Sequence, residues 1–349
     1  MKILITGGRG FVGRHLAGLL GSAGHEVVTL DVGKSLGAQE GESPKPDPGG
    51  ASRPGAGTAP EPRPAEVAGP DVGGAPAKET YYECDIRDFN RLSELVRQVD
   101  PDAVAHLAAW SSAGLSFKKP TEAFEVNTQG TVNLLEAVKD TRITTRTLVV
   151  SSCEVYSASG SEGPLREDSP VGPVNPYGLG KACAEFVSFY YQSIWGLDIT
   201  LVRPFNHTGP GQTDTFVLPS FARQVAEAEK GLREPKLSVG NLGVVRDFTD
   251  VRDVVGAYRI LLERRPPGEI YNVCSGRGYL LKELVEKLIS FSTVKMEVEI
   301  DKERLRKAET PAFVGDNGRI TQDLGWRPQI PMEKTLADLL EYWRAKVPS

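Results

Sequence analysis

The 349-residue sequence predicts an α/β protein: a doubly wound parallel sheet with a smaller C-terminal substrate-binding lobe laid over the strand ends. Three observations carry that reading. Short β-branched apolar runs alternate with segments of helical spacing. The first run ends in a glycine-rich turn that opens a helix. Beyond residue 205 the alternation breaks and the character of the chain changes.

In order, "KILIT" is a strand, "GGRGFVG" a turn, "RHLAGLL" a helix and "HEVVTLD" a second strand. Further strands are "YYECD", "DAVAHLA", "RTLVVSS" and "DITLVRP", with helical patterns between them such as "TEAFEVNTQGTVNLLEAVKD". Alternation of this kind implies a parallel sheet covered on both faces. The helical "FVLPSFARQVAEAEKG" follows, then "LSVGNLGVVRDFTDVRDVVGAYRILLE", the strand "EIYNV" and "SGRGYLLKELVEKLIS". Residues 1–205 and 245–274 are assigned to the dinucleotide-binding domain, and 206–244 and 275–349 to the lobe. The segment 33–79 breaks the pattern. Glycine and proline dominate it, it has no aromatic, and its large aliphatics are Leu36, Val67 and Val72. Such a stretch buries too little apolar area to offset its ordering entropy, so a mostly disordered insertion is expected. Doubling a loop's length adds only ~0.6 kcal/mol of closure cost, so the fold tolerates it.

Hydrophobic content of 40%, charge of 25% and a net charge of -5 describe a globular chain without the basic field of a general nucleic-acid binder. A local basic pocket for an anionic ligand is still allowed. Cys84, Cys153, Cys183 and Cys274 lack metal spacing and disulfide density and read as reduced thiols, which points to the cytoplasm. The four histidines are scattered, so no metal is expected. The chain opens on a strand rather than a signal peptide. No apolar run reaches the ~18 residues of a membrane span.

"TGGRGFVG" contains both Gly8-x-Gly10-x-x-Gly13 and Gly7-x-x-Gly10-x-x-Gly13. Glycines there let the backbone approach a pyrophosphate at a helix N-terminus. Asp31 ends the next strand, 18 residues after Gly13. A carboxylate at that place accepts from ribose hydroxyls and repels a 2′-phosphate, so NAD(H) is favoured over NADP(H), although Arg9 softens the preference. On its own Asp31 also reads as a turn residue.

"VVSSCEVY" places Ser151, Ser152 and Glu154 at a strand's carboxyl end, where open α/β sheets bind ligands. "NPYGLGKACAEF" sets Tyr177 and Lys181 four apart, on one helix face. Alone, that pair also reads as the solvated first turn of an amphipathic helix. Beside a dinucleotide site, a neighbouring ammonium and the cofactor's positive ring together are expected to lower the phenol from its usual pKa of ~10. Tyr177 then exchanges a proton with a substrate oxygen that Ser152 also holds.

"TGGRGFVG", "HLAA", "SSCEVY" and the Tyr177/Lys181 pair resemble the extended short-chain dehydrogenase/reductase family of nucleotide-sugar enzymes, over nearly the whole chain apart from 33–79. The resemblance implies a Rossmann fold. It implies Ser152 as the catalytic hydroxyl, four residues before Tyr156, and a cofactor site at Gly7, Gly10, Phe11, Val12, Gly13, Asp31, Asp85, Ile86, Leu107, Ala108, Ala109, Tyr177, Lys181 and Pro204. "RPFNHTGPGQ", "FVLPSFARQ", "VGNLGVVRDFTDVRDVV", "YNVCSG" and "VGDN" are similar to the GDP-6-deoxy-4-keto-mannose reductases, which make GDP-rhamnose, and to the related GDP-mannose 4,6-dehydratases. The implied contacts to a GDP-linked sugar are Ser111, Ser152, Glu154, Asn206, Val217, Arg246, Arg306 and Glu309. Arginines suit a diphosphate, and a carboxylate suits the N–H edge of guanine. The dehydratases carry a lysine where Ser220 stands here.

A 4-keto reductase needs a hydride and one proton; a dehydratase also needs a base at C5, and Glu154 stands at that place. Ser152 replaces the usual dehydratase threonine, "TGPGQ" replaces an arginine-rich segment, and Asp31 argues against the NADP those enzymes usually bind. The expectation is therefore the reductase, with the dehydratase as alternative. A UDP-sugar epimerase or decarboxylase is a further reading, and so is a non-catalytic dinucleotide sensor, although such sensors often lose the Tyr/Lys pair. The resemblance also implies a homodimer formed through "TEAFEVNTQGTVNLLEAV" and the helix holding Lys181.

Overall fold

The computed structural model describes residues 1–33, 63–64, 79–157, 163–264, 269–304, 310 and 312–348. The expectation for 33–79 lies outside the described residues, apart from its two ends and the backbone of 63–64.

The chain begins β1 (Lys2–Thr6), α1 (Phe11–Ser22), β2 (Glu26–Asp31), a two-residue β3 (Arg63–Pro64) and β4 (Glu79–Glu83). Next come α2 (Phe89–Val99), β5 (Ala103–His106), α3 (Ala113–Ser116), α4 (Pro120–Phe124) and α5 (Gly130–Thr141). Then follow β6 (Arg146–Val150), α6 (Pro176–Trp195), β7 (Ile199–Pro204), β8 (Asn206–Thr208) and α7 (Val217–Glu229). The remainder is β9 (Lys236–Val239), β10 (Val245–Asp250), α8 (Val251–Arg264), β11 (Ile270–Val273), β12 (Gly278–Leu280), α9 (Leu281–Ser290), β13 (Glu297–Ile300), β14 (Ala312–Phe313), α10 (Gly318–Leu324) and α11 (Met332–Lys346).

The main sheet runs β11-β7-β6-β5-β1-β2-β4, all parallel, with β3 antiparallel at its edge. β1 pairs β2 in one direction and β5 in the other, with Ile3 opposite Val27 and Ala103. The strand order thus reverses beside β1, which opens a crevice at the carboxyl ends of β1 and β5. β5 and β7 are buried along their whole length, as a parallel strand covered on both faces requires. One face packs Ile3, Ile5 and Leu148 against Leu16 and Leu20 of α1 and Val254, Tyr258 and Leu261 of α8. The other packs Leu4, Val104 and Val149 against Leu92 and Leu95 of α2, Leu134 of α5 and Tyr191 of α6. A further core joins Leu218 and Phe221 of α7, Leu284 and Leu288 of α9, and Leu336 and Leu340 of α11. Beside it, β10 pairs β8, β12 and β14 in a small sheet over the main strand ends.

The stretch read as one helix over 121–140 is divided. Between α4 and α5 the residues Glu125–Gln129 form a π-helical turn. Its extra residue turns the Asn127 amide onto the Trp110 N–H at 2.7 Å, and the Thr128 hydroxyl donates to Gly180 O on α6. Such bulges re-aim side chains near functional sites.

Candidate active site

The cradle at β1. The backbone leaves β1 through Gly7, at φ 72°, and enters α1 with Gly10 as its N-cap and no side-chain cap. The first turn of α1, from Phe11 to Gly13, therefore has no side-chain cap, and the positive end of the helix dipole lies there. A Cβ at Gly13 would sit 2.3 Å from Gly7 O, so the turn closes this tightly only on glycine. The far wall is the loop after β5. Ala108 N–H donates to Thr6 Oγ1 at 3.2 Å, and Leu107 N–H to Thr6 O at 3.1 Å. Thr6 in turn meets His106 Nδ1 at 2.8 Å, and His106 Nε2 meets Thr131 Oγ1 at 3.0 Å. Because Thr131 donates to Asn127 O, the ring carries its proton on Nε2. Burial holds this imidazole neutral, with its pKa pushed down to about 3. Ala109 continues the wall toward Trp110, which Asn127 fixes.

Asp31 ends β2 at the rim of this cradle. Its carboxylate accepts from Arg9 N–H at 2.9 Å and Val32 N–H at 2.8 Å, and burial raises its pKa. The Arg9 guanidinium lies 3.6 Å from the Tyr81 ring centroid. Asp85 is chelated by Arg87, and the backbone of Ile86 is held by the Asn133 amide at 2.9 Å. An uncapped helix end, a turn that only glycine closes and a carboxylate at the end of β2 fit a dinucleotide, with its pyrophosphate on α1 and a ribose at Asp31.

The catalytic cluster. β6 ends at Val150, and the chain turns through a 3-10 turn, Cys153–Val155, capped by Ser152. Ser152 Oγ accepts from Glu154 N–H at 3.2 Å, and the Ser152 side chain lies beside the Tyr177 phenol. Tyr177 lies in the first turn of α6, and its N–H donates to Ser116 Oγ at 3.1 Å. Asn175 caps that helix by accepting from Gly178 N–H at 2.8 Å, while its amide donates to Glu154 Oε2 at 2.8 Å. A Cβ at Gly178 would lie 2.3 Å from Glu154 O, which explains the glycine between Tyr177 and Lys181. Lys181 is buried and donates to Val150 O at 2.7 Å; burial lowers its pKa to about 8, against the opposing field of Glu185.

The structure thus brings Ser152, Glu154, Tyr177 and Lys181 to one place. The protein's own groups do not lower the phenol: burial pushes Tyr177 above its ordinary range, and the Ser152 side chain only partly offsets that. The Lys181 ammonium is engaged with the Val150 carbonyl instead. Cys153 is buried, its thiol pushed up by burial.

The lobe side. Pro204 ends β7, Asn206 lies on β8 and Arg246 on the adjacent β10, where it faces Tyr279 of β12. Arg246 Nη1 donates to Val245 O and to Thr310 O at 2.9 and 2.8 Å. Val217 opens α7 and is exposed, and Ser111 lies in the loop before α3. Arg306 and Glu309 lie outside the described residues. Sequence reasoning missed Asn175, Asn127, His106 and the carbonyl of Val150. Only Asn175 left a signal, an asparagine preceding proline at a helix start.

Among the described residues, no group of three His, Cys, Asp or Glu side chains is placed to hold a metal ion, and no helix is long and apolar enough to cross a membrane.

Fold and site together define a nicotinamide-dependent oxidoreductase of the extended short-chain dehydrogenase/reductase type. Residues 71–339 match the family model described as GDP-mannose 4,6 dehydratase, and the chain belongs to that family. It is 38% identical over 248 residues to GDP-6-deoxy-D-mannose reductase of Pseudomonas aeruginosa, covering 71% of this chain and 82% of that protein. It is 28% identical over 287 residues to GDP-mannose 4,6-dehydratase of Yersinia enterocolitica, covering 73% and 76%. The solved structure of RMD from Pseudomonas aeruginosa complexed with NADPH superimposes with a TM-score of 0.79 at 31% identity, covering 99% of both chains. UDP-glucose 4-epimerase of Thermus thermophilus complexed with NAD gives 0.79 at 26% identity, covering 99% of this chain and 100% of that one.

Proposed function

We propose that this chain uses NAD(P)H to reduce the 4-keto group of GDP-4-keto-6-deoxy-D-mannose to GDP-D-rhamnose. The observation that carries reduction over dehydration is the 38% identity to a reductase, against 28% to the dehydratase. The bound nicotinamide supplies the hydride to C4. Tyr177 delivers the proton to the developing C4 oxygen, and Ser152, beside the phenol, steadies that oxygen. Lys181, which donates to Val150 O in the free protein, brings positive charge to the site and is the group to meet the nicotinamide ribose. Gly10, Phe11, Val12 and Gly13 take the pyrophosphate. Asn206, Val217 and Arg246, with Arg306 and Glu309, take the GDP, and Ser111 and Glu154 line the sugar. The test is NAD(P)H oxidation with the keto sugar, with GDP-mannose as the control substrate.

The dehydratase reading is favoured by one feature: the Glu154 carboxylate, pinned by Asn175, lies close enough to Tyr177 to act on it electrostatically. Keto-sugar formation from GDP-mannose without added reductant would support it.

Asp31 supports a preference for NADH, tempered by the Arg9 guanidinium at the same rim. Asp31→Ser is expected to shift the NADPH:NADH ratio of kcat/KM upward by about tenfold, equal to ~1.4 kcal/mol. An unchanged ratio would remove Asp31 as selector.

A homodimer through α6 and the α4–α5 segment is supported by exposed Leu179, Phe186, Tyr190 and Ile194 along one side of α6, with Phe124 on α4. The free thiols, three of them buried, suit a reducing cytoplasm.

A further inference from the structure

We propose that the buried Glu185–Arg203 ion pair, one helical turn behind Lys181, tunes the protonation of the Tyr177/Lys181 pair. It rests on the reading of Tyr177 and Lys181 given above. Both side chains of the ion pair are 3% exposed. Arg203 grips Glu185 with two nitrogens, Nε to Oε1 at 2.8 Å and Nη2 to Oε2 at 2.7 Å. Its third nitrogen donates to Glu167 O at 3.1 Å, and its guanidinium lies 4.6 Å from the Tyr156 ring centroid. The arginine is therefore clamped from three sides, and it clamps the carboxylate. Apolar side chains of similar volume hold a helix to a strand without this desolvation cost, so fastening α6 to β7 does not by itself account for the pair.

Its position does. Glu185 is four residues after Lys181 on α6, on the same helix face. The groups around Lys181 come from β5, β6, the π-turn, α5, α6 and β7. β5 brings His106, neutral and engaged at both nitrogens. β6 brings the Val150 carbonyl. The π-turn brings Asn127, which lies against Gly180 beside Lys181, and α5 brings Thr131, paired with His106; neither carries a charge. α6 itself brings Tyr177 and Glu185, and β7 brings Arg203 behind Glu185. Burial draws the ammonium down, and the Glu185 carboxylate opposes that. Arg203 limits how strongly it does so. A lone buried carboxylate would hold the proton more tightly; no carboxylate would let it go sooner.

The sign of the effect is the same whether Tyr177 or Lys181 loses its proton. Removing a negative charge favours proton loss from both Tyr177 and Lys181. Removing a positive charge disfavours it. Glu185→Gln is thus expected to move the alkaline limb of the kcat–pH profile for keto-sugar reduction down by about one pH unit. Arg203→Met is expected to move it up. Each single variant leaves a buried partner unpaired and weakens the fold. The double variant E185M/R203M leaves no lone charge and still removes the nearer, negative member, so its limb moves down, by less than in Glu185→Gln. Tyr177→Phe and Lys181→Met are run beside them. An alkaline limb unmoved in all three ion-pair variants, with Tyr177→Phe and Lys181→Met inactive, would overturn the inference while leaving the proposed function standing. Substantial turnover in Tyr177→Phe or Lys181→Met would instead overturn the reading on which it rests. A purely structural ion pair lowers kcat without moving the limb, and that outcome counts against the inference too.

Discussion

The Tyr177 phenol has two neighbours that act on its proton, the Ser152 side chain and the Glu154 carboxylate. Burial makes it a reluctant acid in the free protein, so its proton is retained until a substrate oxygen of rising basicity is placed against it. Tyr177→Phe is expected to lower kcat by about 10²–10⁴-fold with cofactor binding retained, read by steady-state kinetics and cofactor fluorescence. Wild-type turnover in that variant would leave the site without its acid. Behind the cofactor wall, His106 gives a pH prediction. Its folded pKa of about 3 lies below the unfolded value of 6.5. Between the two, the unfolded chain holds the proton and the folded chain does not. Stability therefore falls as pH falls below 6.5, by about 1.4 kcal/mol per pH unit for this group. His106→Gln should flatten the decline in urea midpoint between about pH 7 and about pH 5; an unchanged slope would refute a neutral buried ring. Neither pKa was legible in the sequence, since burial, the dominant cause of both, is a property of packing.

Helix α6 carries most of what the site needs, and much of its design is readable. Pro176 at its first turn, Asn175 as cap and Gly196 at its end are ordinary start and stop signals. The spacing of Tyr177 and Lys181 places both on one face. What the sequence could not say is why glycine separates them: Gly178 exists because α6 presses on Glu154 O. Gly178→Ala is expected to cost about 1–3 kcal/mol in chemical denaturation, as overpacking does, and to reduce turnover by displacing Glu154 and the phenol. Asn175→Ala should cost about 1 kcal/mol through the lost cap and also free the Glu154 carboxylate. A variant with full stability would show that the cap is replaceable. On the outer side of α6, Phe186→Asp should turn a dimer into a monomer in sedimentation velocity if the apolar stripe is an interface. Persistence of the dimer would place the interface elsewhere. The π-turn, β12 and β14 escaped sequence reading for one reason. Each is too short to show a period, and each is set by tertiary contacts such as Asn127 with Trp110.

For the molecule as a whole, alternating apolar runs were enough to place the parallel strands, because strands buried on both faces are mostly apolar. The glycine turn and Asp31 lie at the crevice beside β1, and the residues after β6 gather with Tyr177 and Asn175 at the start of α6. The lobe was less legible. Its core is assembled from α7, α9 and α11, far apart in sequence, and its small sheet over β10 follows no local pattern. The central claim concerns one reaction, so the decisive measurement is direct. Purified protein is given GDP-4-keto-6-deoxymannose with NADH or NADPH, or GDP-mannose alone, with absorbance followed at about 340 nm for the reduced nicotinamide and keto sugar assayed in the second case. Reduced cofactor consumed in step with the keto sugar, and no keto sugar from GDP-mannose, is the result expected of the reductase. Keto sugar formed from GDP-mannose without added reductant, and no cofactor consumed with the keto sugar, would contradict it and assign Glu154 the role of C5 base.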